Sequence, residues 1–316
     1  MKFSLAAVSA SISLCSLLLI STPAHTQQAR PAAAPSVSLD LQEIPEAKID
    51  EYVNKSNAVV ELLNTSLRAS ESWRRYLSWA DVKRGPTGNE RIIYGLYSVS
   101  DSSAKDAIEK ARLGAGGEPA IPALDGATKE LATTFEALFP IMNEAEAYYE
   151  RKDYLYDKMK GGRELHEKLV PAALAYLAAR EKTEALQEQF KDVLDRQQLA
   201  RIEKTEGKSV RWHARYTSML AKKAVDLLPR DPRKPRDLKA FDDALASFGD
   251  AVKDLDTAVR TSGKSGSFDS SPRDLLGKLR EMRAELGKGR VNSMSYGMDF
   301  DFLIMRYNMM IRMSNR

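Results

Sequence analysis

The chain has 316 residues, 29% of them charged and 43% hydrophobic, with a formal net charge of +4 at neutral pH. This is the composition of an ordinary soluble protein, and so small a surplus of charge excludes a function carried by a strong overall field. One cysteine, Cys15, is present and lies in an apolar leader. Once that leader is removed, disulfides, thiol catalysis and thiolate metal sites are excluded as well.

The first stretch, MKFSLAAVSASISLCSLLLISTPAHTQQ, places Lys2 before an apolar run from Phe3 to Ile20 and then Thr22-Pro23-Ala24. A short positive region, an apolar region and small residues before a cut after Ala24 predict a secretory signal over 1–24 and delivery to the periplasm or beyond. An uncleaved anchor is the alternative, since about 18 apolar residues nearly span a bilayer. Serines at 4, 9, 11, 13 and 16 weaken it. Leu14, preceding Cys15, replaces the small residue that lipid attachment needs. Residues 25–44, rich in Ala, Pro and Gln, read as a flexible lead-in, and 45–316 as a single helical domain.

From Pro45, apolar residues Ile49, Val53, Val60, Leu63, Leu67 and Leu77 follow in three- and four-residue steps or their sums, predicting a helix over 45–79. Residues 80–124 differ. Gly85-Pro86-Thr87-Gly88 is a turn, Ser102 or Ser103 caps a short helix through Leu113, and Ile92 to Tyr97 have strand-like composition within an ordered loop. A second long helix is expected over 125–159, ended by a left-handed turn at Gly161-Gly162. A third begins near Arg163, with Leu165, Ala172, Ala179, Leu186 and Val193 on a seven-residue seam. It either breaks at Gly207 or runs on to Leu228. After the connector PRDPRKPRD (229–237), helices are expected over 238–261, 272–288 and 291–313. Long amphipathic helices with almost no strand signal predict an all-α, elongated bundle with an ordered loop insertion near 80–124.

Three groups of side chains carry candidate chemistry. In YYERKDYLYDKMKGGRELHEKL (148–169), Tyr149, Asp153, Tyr154, Asp157 and His166 surround the Gly-Gly pair. Carboxylate and imidazole suit proton transfer or a metal, but position 170 is Val170, so no HExxH pair exists. The favoured reading is a hairpin whose polar groups set the angle between two helices, with a ligand site as the alternative.

The second group is Arg201, Lys204, Lys208, Arg211, Arg215 and Lys222, one basic stripe if the helix is continuous. Such a stripe suits anionic lipid or an acidic envelope protein. The blander reading is a solvated face neutralised in part by Glu203, Glu206 and Asp226. The third group is Met294, Met298, Met305, Met309 and Met313, with Met310 between them. Thioethers can bind Cu(I), but methionine more commonly fills core space. Tyr52, Asn54 and Asn57 echo Tyr307, Asn308 and Asn315, as if the first and last helices paired. Trp73, Trp79 and Trp212 read as packing groups, with a pocket lined by the first two, Tyr76 and Tyr94 as the alternative.

Five separated motifs, KIDEYVNKSN (48–57), RYLSWADVKRGPTGNERIIYGLY (75–97), NEAEAYYERKDY (143–154), GGRELHEKLVPA (161–172) and RYNMMIRMSN (306–315), resemble in order the YiiG-like family of bacterial envelope proteins. The resemblance implies an exported helical protein, often a lipoprotein, with a domain of unknown function and no catalytic residues to carry over. This chain departs from it at Cys15 and at Lys55-Ser56, where members often carry cysteine. The combined expectation is a non-enzymatic envelope module that binds another envelope protein or an anionic lipid surface. It calls for no cofactor, no resident metal, no nucleic acid and no membrane span after cleavage. The alternative is a periplasmic ligand- or metal-binding protein with a pocket between helices.

Overall fold

Apolar residues at helical spacing, with strand-forming runs confined to one short stretch, leave the chain one way to bury its core: helix on helix. The computed structural model describes residues 44–229, 231–233, 237–263, 270–289 and 291–314, with 294 and 312–314 in backbone only. The leader, the lead-in before Ile44, and Arg230, Lys234, Arg236 and Asn315 lie outside them.

Nine α-helices form among the described residues: α1 (Ile49–Leu77), α2 (Asp101–Gly116), α3 (Pro122–Glu150), the single turn α4 (Tyr154–Asp157), α5 (Lys160–Glu206), α6 (Val210–Asp226), α7 (Leu238–Ser262), α8 (Ser271–Gly287) and α9 (Ser293–Ser314). The all-α bundle is borne out. No described helix is long and apolar enough to cross a membrane.

Local chemistry explains most boundaries. Pro122 opens α3, where its missing N–H costs nothing. The cap of α2 is Ser100, which accepts from the Ser103 N–H, and not Ser102 or Ser103. Ser100 holds the extended backbone that a cap requires, and the two later serines are already helical. The strand-like run Ile92 to Tyr97 forms no strand, and its backbone turns left-handed at Gly95, with a φ of +65°. Side chains satisfy backbone groups along this loop: Arg75 Nε donates to the Tyr94 carbonyl, Trp79 Nε1 to that of Gly95, and Ser72 Oγ to that of Tyr97. Asn143 both donates to the Val99 carbonyl and accepts from its N–H, imitating a neighbouring strand.

Two apolar clusters result. The first draws Leu62, Trp73 and Tyr76 from α1, Ile108 from α2, Leu131, Phe135 and Met142 from α3, and Leu169, Tyr176 and Phe190 from α5. The second draws Val225 from α6, Phe241 and Phe248 from α7, Leu275 and Met282 from α8, and Tyr296, Leu303 and Met310 from α9. The chain divides between them at Gly207, whose φ of +67° and ψ of −161° belong to a region open almost only to glycine. Ser209 then caps α6 by accepting from the Trp212 N–H. The third helix therefore breaks at Gly207.

The first and last helices do not pair. α1 packs on α2, α3 and α5, and α9 on α6 and α8. Asn54, Asn57 and Asn308 are exposed, so they cannot set a register between two buried faces.

Polar groups cross-link the first cluster. Lys55 sends Nζ to Asp125 Oδ1 at 2.6 Å, with the two side chains 3% and 12% exposed. The other Asp125 oxygen accepts from the Ile121 N–H. Arg180 reaches the Leu63 carbonyl and Ser66 Oγ, and Gln187 reaches Ser56 Oγ, tying α5 to α1. Removing one partner of a buried ion pair strands the other. Asp125→Ala should therefore lower stability in urea unfolding by about 3 kcal/mol. A loss below about 1 kcal/mol, the worth of an exposed pair, would contradict that account.

Candidate functional site

The tyrosine-rich stretch that joins α3 to α5 folds differently from expectation. Helix α3 stops at Glu150, nine residues early, and the chain turns through α4 before α5 begins at Lys160. The left-handed residues of this turn are Lys152, Lys158 and Met159, not Gly161 and Gly162. The glycines lie in the first turn of α5 and serve close packing instead. A Cβ on Gly161 would sit 2.8 Å from Tyr148 Cε2, and one on Gly162 would sit 2.5 Å from Met159 Sδ and 2.9 Å from the Tyr149 hydroxyl.

The five polar residues singled out here divide into three separate arrangements. Asp157 accepts from the Tyr148 hydroxyl and the Gly161 N–H, both at 2.8 Å. Desolvation by its neighbours opposes the charge of this exposed carboxyl, but these donors hold it below the usual range. Burial, followed by the bond to Asp157, pushes the Tyr148 phenol up to about 12. Asp153 pairs with Arg151 at the surface. His166 turns away from both and contacts α1, with Nδ1 2.8 Å from the Tyr76 hydroxyl, and its ring also bonds to the Val82 backbone. Tyr154 and Tyr149 continue a ring stack through Trp79 and Tyr76 to Trp73. Tyr149 is buried and its hydroxyl has no well-formed hydrogen bond. The group thus locks the hairpin onto α1 and does not converge on one point. Trp73 and Tyr76 are buried core groups, and Tyr94 is half-exposed.

The basic stripe loses its premise at Gly207, which divides its members between α5, α6 and, for Lys208, the link between them. Five of the six have carboxylate partners: Arg201 with Asp50, Lys204 with Glu46, Arg211 with Glu206, Arg215 with Asp195, and Lys222 with Glu188 and Asp226. Lys208 lies over the Trp212 ring. These charges fold α6 back along α5. In one continuous helix Arg215 and Asp195 would stand about 30 Å apart. Here Nη2 and Oδ1 are 2.9 Å apart.

That folding back opens a cleft of about 910 Å³ between α1, α5, α6 and α9. Val53, Val60, Leu194, Ile202, Met219 and Ile311 supply apolar wall, and Ser56, Asn57, Gln198 and Ser218 supply polar groups. Lys191, Asp195, Arg211, Arg215 and Lys222 bring charge. Asp195 joins Lys191 to Arg215. Burial works against the Lys222 ammonium, yet its bonds to Asp226 and Glu188 hold its pKa above the ordinary lysine value. Tyr307 faces the same space, its phenol pushed up to about 12 by burial. Sequence reasoning named Arg211, Arg215 and Lys222 but missed the α1 wall, because nothing local relates residues 53–60 to 211–222.

The methionines separate as well. Met310 is in the core, but Met298, Met305 and Met309 are exposed and line the outer side of α9 with Phe302, so these three do not fill core space. The side chains of Met294 and Met313 lie outside the described residues. Among described residues, no group of three or more His, Cys, Asp or Glu is arranged to hold a metal.

Comparison with known proteins places these features in a family. The model of a family described as "Protein of unknown function (DUF3829)" matches residues 48–296. The uncharacterized protein YiiG of Escherichia coli (strain K12) is 26% identical over 210 residues, which cover 66% of this chain and 58% of that protein. The chain thus matches less than two thirds of this relative's length. No solved structure matches.

Two measurements check the hairpin lock. Gly162→Ala must displace Met159 and Tyr149, and thermal unfolding should show a loss of about 2 kcal/mol. His166 has its pKa lowered from 6.5, chiefly by burial, so the unfolded chain binds its proton more readily. Its contribution to stability is complete above about 6.5 and is lost as pH falls through the folded value. His166→Gln should therefore flatten the decline in stability between neutral and mildly acidic pH. An unchanged slope would mean that the imidazole does not titrate as its burial requires.

Proposed function

Because the chain belongs to the DUF3829 family of proteins of unknown function, we propose its function from geometry: it is an exported, non-enzymatic binding module of the cell envelope that holds another envelope component in the α1/α5/α6/α9 cleft. The leader, with Lys2, its apolar run and the small residues before position 25, supports export. The observation that carries the reading is the cleft itself. Its volume of about 910 Å³ is in the range of ligand-binding sites, and its lining mixes apolar wall with a few convergent polar groups.

The charged groups in the cleft support binding over catalysis. A general acid and base need one group free to give a proton and another free to take it. Here Asp195 is shared between Lys191 and Arg215, and Lys222 is held between Glu188 and Asp226. Such pairs fix the walls. The apolar residues beside them would bury the greasy part of an amphipathic component, and Asn57, Gln198 and Ser218 would orient it.

Native mass spectrometry on protein purified gently from its own envelope, with lipid and elemental analysis, tests the reading. The expected result is one bound component per chain in the wild type. Ser218→Trp should abolish it without a change in melting temperature, because Ser218 lines the cleft and its hydroxyl bonds only to the Ala214 carbonyl of its own helix. A wild-type protein that is empty, or a variant that keeps the component, would sink the proposal.

A further inference from the structure

Away from the cleft, the last turns of α1 and the loop from Tyr94 to Tyr97 enclose a shallow basin lined by Arg68, Glu71, Arg74, Arg75, Ser78, Tyr94 and Tyr97. Three guanidinium groups meet one carboxylate there, and Glu71 is engaged by Arg68 at 3.2 Å. Arg68 and Arg75 lie over the Tyr97 ring, 4.0 and 4.4 Å from its centre. Arg75 Nε donates to the Tyr94 carbonyl, which holds the guanidinium in place. No carboxylate among the described residues pairs with Arg74 or Arg75. Two planar cations, one of them immobilised by an aromatic face and a backbone bond, are thus free to take a tetrahedral oxyanion.

The surroundings identify what carries that anion. The site is open and has little depth, which suits a group presented by a surface better than an enclosed solute. Leu67, Leu77 and Tyr94 are 43%, 41% and 47% exposed. Leu67 and Leu77 stand seven and three residues from Arg74, on the same face of α1. Cations next to exposed leucine and tyrosine are the composition of a surface that meets both headgroups and the acyl boundary. We propose that this end of α1 docks on an anionic phospholipid surface, with Arg74 and Arg75 taking headgroup phosphates and Leu67, Leu77 and Tyr94 entering the interface. The inference is independent of the cleft, whose walls share no residue with the basin.

Co-sedimentation with vesicles of phosphatidylglycerol in phosphatidylcholine, against phosphatidylcholine alone, tests it. The protein should partition onto the anionic vesicles and be released by salt. Arg74→Glu, which breaks no bond within the fold, should lower partition about tenfold. Leu77→Ser should weaken it without changing its salt dependence, and Arg211→Glu, at the cleft, should leave it intact. Equal partition of Arg74→Glu and wild type would overturn the proposal, as would equal binding to both kinds of vesicle. Binding of glycerol 3-phosphate at Arg74 with no binding to vesicles would show a site for soluble phosphate esters and overturn the membrane claim.

Discussion

The backbone at Gly207 is the constraint on which the second half of the molecule depends. A φ of +67° with a ψ of −161° is a backbone conformation that residues other than glycine rarely adopt, and helix α5 cannot pass through it. The chain therefore reverses, Ser209 restarts the helix, and α6 lies back along α5. The pairing of α6 with α5 through Arg215–Asp195 and Lys222–Glu188 follows from that reversal. So does the cleft, whose walls come from both sides of the break.

Charge then fixes what the glycine permits. Arg215 to Asp195, Lys222 to Glu188 and the Trp212 indole to Glu203 are spaced along α5 and α6 like rungs. Half-buried pairs of this kind are worth more for geometry than for net stability, because desolvation offsets much of their attraction. The same residues that look from sequence like a binding stripe are therefore mostly engaged in holding the fold. A row of cations on a helix says nothing about partners until the position of the acids is known.

Much of the helical architecture was legible in the chain because periodicity is local. The spacing of Ile49, Val53, Val60 and Leu63 predicts α1, and the connector prolines separate α6 from α7. Errors arose where a tertiary contact outweighs a local rule. Gly161-Gly162 has the sequence of a helix stop, but its small size is needed against Tyr148, Tyr149 and Met159, and the left-handed positions fall to Lys158 and Met159. The run Ile92 to Tyr97 has strand composition without a strand to pair with, since Ser72, Arg75, Trp79 and Asn143 take up the backbone groups. The candidate site was legible only in part. Its charged residues stand out in the sequence, whereas the placement of α1 opposite α6 across the cleft, and the bond from Arg75 to Tyr94 at the basin, depend on long-range packing that no spacing records.

The distance between spin labels on Asp192 of α5 and Lys223 of α6, both exposed, tests the reversal at Gly207 most directly. A continuous helix would hold these positions about 46 Å apart. The account predicts a single narrow distribution at less than half that value, set by the rungs from Arg215 and Lys222. A peak near the full helical distance would contradict it, and would remove the cleft and the second face of the protein with it.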